Sequence, residues 1–239
     1  MRVVISQSMY FPWVGLLEQI QTADVFVHYD DVQFTRGFYN RVQVKTATGT
    51  PWLTVPLREW HRGQRLDEVR VDDRQDWRST HRAVLRQAYA RTPYRDQMLA
   101  LADAVWQQPA DTLADVSRAS VRALADYFDL ARTTRFEDAA SLHTPGRASE
   151  RLLAITQALG GTTYVTGHGA KHYLDHQRFE AAGVAVEYMH YHCRAYPQQF
   201  GPFTPYVSAL DLIANCGRDG AAFIGAHTVP WRTVVSAAA

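Results

Sequence analysis

The sequence predicts an α/β fold with three layers. Its sheet is mostly parallel, with an inserted antiparallel hairpin and a helical middle segment. Three observations predict it. Residues 2–6 (RVVIS) and 25–29 (VFVHY) are apolar runs separated by a helix-period stretch, and a β-α-β opening of this kind implies parallel pairing. Residues 41–57 instead alternate in type around Thr48-Gly49-Thr50, as a hairpin does. From Ser149 onward, strand and helix patterns alternate again.

Each element has a local reason. Pro12 can open a helix, because its missing N–H is not needed at the first helical position. Val14, Leu16, Leu17 and Ile20 then give that helix a buried face. Arg41–Lys45 and Trp52–Leu57 form the hairpin arms, and Pro56 marks an edge or strand end. Residues 58–66 are a charged, glycine-containing loop, and Val69 and Val71 read as a short strand. Helical spacing covers 76–90, 95–107 and 112–128, with breaks at Pro93 and Pro109. Residues 134–147 read as a connection. A helix over Ser149–Leu159 ends at Gly160-Gly161, a strand over Thr162–Thr166 follows, then a turn at Gly167-His168-Gly169. A helix over 170–182, a strand over Val184–Tyr188 and a helix near Tyr206–Ala214 complete the chain. The expected organisation is a single domain over 1–239 with a helical subdomain or insertion at about 76–130. The N- and C-terminal α/β pieces either complete one sheet around that middle or form separate lobes.

Composition narrows the function classes. The 239 residues suffice for a substantial core. Hydrophobic residues make up 46% and charged residues 21%, a globular balance. The net charge of +1 gives no bulk attraction to nucleic acid or anionic membrane. Cys193 and Cys216 do not make a disulfide framework, which fits a reducing compartment. No apolar run approaches the ~18 residues of a membrane span, and the opening VVISQ reads as a strand rather than a signal peptide. The expectation is a cytoplasmic protein without membrane insertion or nucleic-acid partner.

Ordered blocks then carry a family resemblance. They are Gln7, Tyr10-Phe11-Pro12-Trp13, Tyr29-Asp30-Asp31-Val32-Gln33, Asn40-Arg41 and Trp52-Leu53-Thr54-Val55-Pro56. Further on come Ser149-Glu150-Arg151, Thr166-Gly167-His168-Gly169, Tyr173-Leu174, His192, Tyr196-Pro197-Gln198 and Ser208–Leu212 with Asn215 and Gly217. Together they resemble the WbqC-like family over nearly the whole chain. The resemblance implies a bacterial protein of O-antigen, other glycoconjugate or specialised-metabolite assembly. Ser8, and Cys193 after His192, stand where proline is common in that family. Phe11-Pro12-Trp13 leading to Ala23-Asp24 is also similar to nucleotidyltransferases of the HIGH-motif type, but their paired histidines are missing here. There is no Walker loop and no GxGxxG, and no cofactor is expected.

The candidate chemistry lies near strand ends. Asp30 and Asp31 at a strand-end turn can orient an amine or anchor a loop, and Gln33, Asn40 and Arg41 can complete a polar site. Arg41 can grip phosphate or carboxylate through two parallel hydrogen bonds, or pair with Asp30 or Asp31. His192 can act as a general base or fix the Tyr196-Pro197-Gln198 loop, with Asp211 orienting it if the last helix returns beneath. Cys193 is a possible nucleophile. Backbone amides at Gly167 and Gly169 can hold an anion. His168, His172 and His176 recur every four residues, a spacing that permits metal binding, though a solvent-facing row explains them as well. Arg58, His61, Arg62 and Arg65 make a positive loop that is either solvated or meets an acidic carrier protein or sugar nucleotide.

The expected function is an acyl- or aminoacyltransferase acting on an amine, with an amino sugar as one acceptor and an acyl or peptidyl carrier protein as a reasonable donor. His192 would deprotonate the amine and Asp30 or Asp31 position it. Gln7, Tyr10, Gln33, Asn40, Arg41, Gly167, Gly169, Tyr196, Gln198, Asp211 and Asn215 would contact substrate. Two rivals stand beside it: a noncatalytic sugar-nucleotide or carrier-binding protein, and a nucleotidyltransferase-like enzyme.

Overall fold

The computed structural model describes residues 1–236. Its main sheet is built from β1 (Arg2–Ser6), β2 (Val25–His28), β5 (Arg135–Asp138), β6 (Thr163–Thr166), β7 (Ala185–Met189) and β8 (Thr228–Pro230). The order across the sheet is β5-β2-β1-β6-β7-β8, parallel throughout except for the antiparallel edge strand β8. The N- and C-terminal pieces therefore share one sheet. A separate two-stranded antiparallel sheet pairs β3 (Arg41–Gln43) with β4 (Trp52–Thr54).

Alternation along the central strands makes the layers. Val4 lies in register beside Phe26 on one side and Val165 on the other. This row faces a core shared with α1 (Val14–Thr22), α4 (Leu113–Tyr127) and α7 (Ala209–Cys216). Val3 lies beside Val25 and Tyr164, and Tyr164 beside Val186. That row faces the opposite core, made with α5 (Ala148–Ala158) and α6 (His176–Ala181). Adjacent side chains on a strand point to opposite faces, so an unbroken apolar run such as Val3-Val4-Ile5 is what a sheet covered on both sides requires.

The helical middle is α2 (Trp77–Ala88), α3 (Arg95–Trp106) and α4, close to the expected spans. Their starts are capped: the Asp76 side chain accepts from the Ser79 N–H at 3.1 Å, and Thr112 Oγ1 from the Asp115 N–H at 3.2 Å. Three expectations change. The helix foreseen over 170–182 is split into a 3₁₀ turn at His168–His172 and α6. The Asp175 side chain accepts from the Arg178 N–H at 3.1 Å and starts the second piece. Val71 makes a lone bridge to Leu57 rather than a strand. Residues 135–138, read as connection, are β5; this RFED tetrapeptide is a strand because β2 offers it an unpaired edge. The three-residue β8, followed by α8 (Trp231–Ser236), was equally invisible.

The aromatic turn before α1 is held from several sides. Phe11 sits at φ 38°, a left-handed conformation that disfavours a bulky residue. Its N–H donates to Ser120 Oγ at 2.9 Å and its carbonyl accepts from Ser208 Oγ at 2.8 Å. Gly15 is needed next to it, because a Cβ there would lie 2.2 Å from the Trp13 indole. Below the turn, Trp106 Nε1 donates to Tyr10 Oη at 3.0 Å, and Tyr10 in turn donates to His81 Nδ1 at 3.0 Å. Tyr10, expected to touch substrate, is thus a fully buried core residue.

Burial pushes His81 down to about 4. The unfolded chain then binds a proton that the native state refuses, so this contribution to stability is complete above the ordinary histidine range and falls as pH drops toward 4. A difference of this size corresponds to about 3 kcal/mol at most. Chemical denaturation between pH 7 and 4.5 should show falling stability, and His81→Gln, although less stable at pH 7, should show a flatter decline. An unchanged slope in that variant would remove His81 as the cause.

Candidate functional site

The sheet places the site. From β1 the chain runs outward through β2 to β5, then returns across β1 and runs the other way through β6 and β7. The carboxyl ends of β1 and β6 flank this reversal, the place where open α/β sheets bind ligands.

On the β2 side, Asp30 is completely buried. Its Oδ1 accepts from the Ser8 N–H at 2.7 Å, and its Oδ2 from Ser8 Oγ at 2.8 Å and Arg118 Nε at 2.6 Å. Ser8 Oγ spends its one proton on Asp30, so His28 Nδ1, 2.8 Å away, must donate to it. Arg118 reaches on to Asp138 at the end of β5 through bonds of 2.6 and 3.1 Å. Burial pushes the Asp30 carboxyl up, with Arg118 and Ser8 opposing. Burial pushes His28 down to about 4, assisted by the Arg118 charge. Every Asp30 oxygen is satisfied inside the protein, so this residue anchors the strand ends. A proline at position 8 would supply neither Ser8 bond.

Asp31 differs. Its Oδ2 is bonded by Arg151 Nη2, and that guanidinium lies 5.1 Å from the Tyr29 ring centre. The Asp31 side chain is 9% exposed, yet its Oδ1 has no hydrogen-bond donor among the described residues. The Tyr29 phenol lies within electrostatic range of it. Burial raises Tyr29, Tyr39 and Tyr173, and the Tyr173 phenol lies within electrostatic range of Tyr29, Tyr39, Tyr164 and Tyr188. Gln7 sits at the β1 end, its Nε2 3.4 Å from the Gln33 carbonyl.

The β6 side supplies Gly167 and His168. His168 Nε2 lies 2.8 Å from the Met189 carbonyl. A carbonyl only accepts, so Nε2 carries the proton and Nδ1 is the basic nitrogen. Burial and the Lys171 charge hold His168 below the ordinary histidine range. Tyr191 closes this side, its ring 5.9 Å from His168 and 5.1 Å from Trp13. Gln19 Nε2 donates to the Tyr191 oxygen at 2.7 Å, which leaves the phenolic hydrogen free. Burial pushes Tyr191 up to about 12, so it stays a donor at neutral pH. A Cβ on Gly167 would come within 3.1 Å of that oxygen, so the close approach favours glycine.

Other expected site residues fall elsewhere. Asp211 does not orient His192. It is buried, accepts from Gln198 Nε2 at 2.8 Å, and packs with Tyr89 and Tyr196. Gln198 also accepts from Lys45 Nζ at 3.0 Å and from the Thr204 N–H at 2.9 Å. Asn215 Nδ2 donates to the Asp211 carbonyl at 2.8 Å, inside α7. Tyr196, Gln198, Asp211 and Asn215 therefore fix the last loop and helix. Arg41 pairs with neither aspartate; it lies 4.4 Å over the Trp52 ring, and Asn40 Nδ2 donates to the Val55 carbonyl at 3.1 Å. Gly169 lies exposed in the 3₁₀ turn. His192 is exposed between His190 and His227, with ring centres 4.6 and 4.5 Å away. It follows β7, three strands from β2, which is roughly 14 Å of sheet, so His192 and Asp31 do not share one small amine. Cys193 has φ 44°, which proline cannot adopt, and burial beside Glu18 raises its thiol. His176 bonds the Tyr188 hydroxyl at 2.8 Å and stacks 4.5 Å from Trp231, so the histidine row is not a shared metal site. No group of three or more metal-ligating side chains occurs among the described residues.

Sequence reasoning missed Arg118 and Tyr191, placed Arg151 only within a family-like block, and read His168 as part of a turn and a histidine row rather than as a base. Their signal was weak because each acts through a partner more than twenty residues away.

The two aspartates should separate in experiment. Arg118→Ala leaves the Asp30 charge buried without its cation and should lower unfolding free energy by about 3–5 kcal/mol in denaturant titration. Asp31→Asn takes the carboxylate from the nearly buried Arg151 but keeps shape and one acceptor, and should cost less, about 1–3 kcal/mol. Comparable losses in both would mean that Asp31 is structural too.

No solved structure matches the chain. An uncharacterized protein of Mycobacterium tuberculosis (strain ATCC 25618 / H37Rv), Rv1507c, is 32% identical over 222 residues, covering 91% of this chain and 95% of that protein. Residues 7–222 match the WbqC-like protein family, a span that includes both sides of the reversal. The chain belongs to the WbqC-like protein family.

Proposed function

We propose that the protein is a transferase that acylates or aminoacylates an amine, with an amino sugar as the acceptor, in glycoconjugate or specialised-metabolite assembly. The observation that carries this reading is Asp31 Oδ1, a buried carboxylate oxygen without a donor among the described residues, beside the Tyr29 phenol past the end of β2. A carboxylate beside aromatic rings suits a sugar: hydroxyls donate to the oxygen and C–H faces pack on the rings. His168 lies two strands away, roughly 10 Å across the sheet, a span bridged by one hexose with a hydrogen bond at each end.

In this mechanism the acceptor ring is held at Asp31 and its amine meets His168 Nδ1. The amine nitrogen bonds to the donor carbonyl carbon as Nδ1 takes its proton. The Tyr191 hydroxyl donates to the developing oxyanion. Collapse breaks the carbonyl–sulfur bond of a carrier thioester, and the proton on His168 passes to the leaving thiolate. Cys193 takes no part. His192 is replaced as the base because of its distance from Asp31.

The test is thiol release from acyl- and aminoacyl-thioester donors with a panel of amino sugars. His168→Gln should lower kcat by about 10²–10⁴-fold, and Asp31→Asn should act mainly through KM. With a base held below the ordinary histidine range, kcat/KM expressed per unprotonated amine should show an enzyme acid limb with an apparent pKa below 6.5. Full turnover in both variants would overturn the assignment. Saturable amino-sugar binding with no turnover across the donor panel would favour the noncatalytic binding protein.

A further inference from the structure

A concavity lies on the hairpin side, lined by neither Asp31 nor His168. It is a cleft of about 390 Å³ between the loop before β3 and the segment after β4, lined by Arg36, Asn40, Arg41, Thr54, Pro56 and Trp60 among others. No acidic side chain lines it. Arg36 lies 5.6 Å over the Trp60 ring, and Arg41 lies 4.4 Å over the Trp52 ring. Trp60 is itself braced edge-on by the buried Phe34 at 4.9 Å.

Among the described residues neither guanidinium pairs with a carboxylate, whereas Arg118 and Arg151 both do. Stacking holds a guanidinium by its face and leaves its edge N–H donors unspent. Arg36 and its Trp60 platform line this cleft, and Arg41 borders both it and the neighbouring hollow that holds Trp52; with no acid to neutralise them, their edges match the oxygens of a phosphate or diphosphate, which arginine grips through parallel bonds. The Asn40 amide donates to the Val55 carbonyl at 3.1 Å, so the cleft wall beside these arginines is tied to the hairpin.

We infer that the Arg36–Arg41 cleft binds the phosphate or diphosphate group of a ligand, either a nucleotide or a phosphopantetheine-type arm. The site is separate from the proposed chemistry at Asp31 and His168, so it stands or falls independently of the transferase reading. One backbone segment joins them: Gln33 meets Gln7 at the β1 end and Tyr39 lies within electrostatic range of Tyr173, while Arg36 and Arg41 line the cleft.

Isothermal titration calorimetry with inorganic pyrophosphate, UDP and coenzyme A tests this on the full chain. Wild-type protein should bind at least one probe with one-to-one saturation, more weakly as salt rises. Arg36→Gln and Arg41→Gln should each weaken binding at least ten-fold, and Arg36→Lys should restore only part of it. Arg86→Gln, at an exposed position on α2, should leave binding unchanged. Preference for UDP identifies a nucleotide source, preference for coenzyme A a phosphopantetheine source, and equal affinity for all three recognition of the phosphate alone. Arg36 makes no bond that the fold needs, so Arg36→Gln remains informative if Arg41→Gln is unstable. Absence of saturable binding by wild type, or binding by Arg36→Gln equal to wild type, would overturn the proposal.

Discussion

The buried Asp30 carboxylate governs how the strand ends sit. It joins the loop after β1 through two Ser8 bonds, and α4 through Arg118, which continues to Asp138 at the end of β5. A carboxylate removed from water is tolerated only with its charge compensated and its lone pairs filled. Meeting that demand fixes three neighbouring strand ends and one helix at a single point. Asp31, the next residue, inherits that rigidity while its own Oδ1 stays unpartnered.

The adjacent aspartates lie just past β2 and divide the work by their partners. One enters the interior and meets Arg118. The other meets Arg151 and Tyr29. The same logic separates Tyr191 from His192 at the end of β7: Tyr191 packs on Trp13 and His168, and His192 stands among exposed imidazoles. A binding residue placed by a satisfied neighbour needs little reorganisation when a ligand arrives.

The WbqC-like blocks divide in the same way. Tyr10 and the Gln198–Asp211–Asn215 group hold core and loop. Ser149-Glu150-Arg151 brings the cation that Asp31 faces, and Gly167-His168 forms the far wall. A motif shared across a family therefore marks architecture as often as it marks chemistry. Burial and partner lists separate the two.

The parallel sheet, the hairpin and the three middle helices were legible in the sequence, because apolar period and turn residues are local signals that survive without tertiary contacts. Strand ends carrying Asp30-Asp31 and Gly167-His168 were legible for the same reason. β5 and β8 were not, since neither RFED nor TVP is an apolar run, and each is a strand where a neighbour offers an unpaired edge. Nor could local pattern show that Arg118 claims Asp30, that Arg151 claims Asp31, or that Asp211 turns inward to Gln198. Those pairings join residues from 13 to 120 positions apart. Sequence by itself determined which chemical groups reach the carboxyl edge. The tertiary structure decided which are spent holding it together, because burial and charge pairing depend on neighbours that the chain supplies only after it has folded.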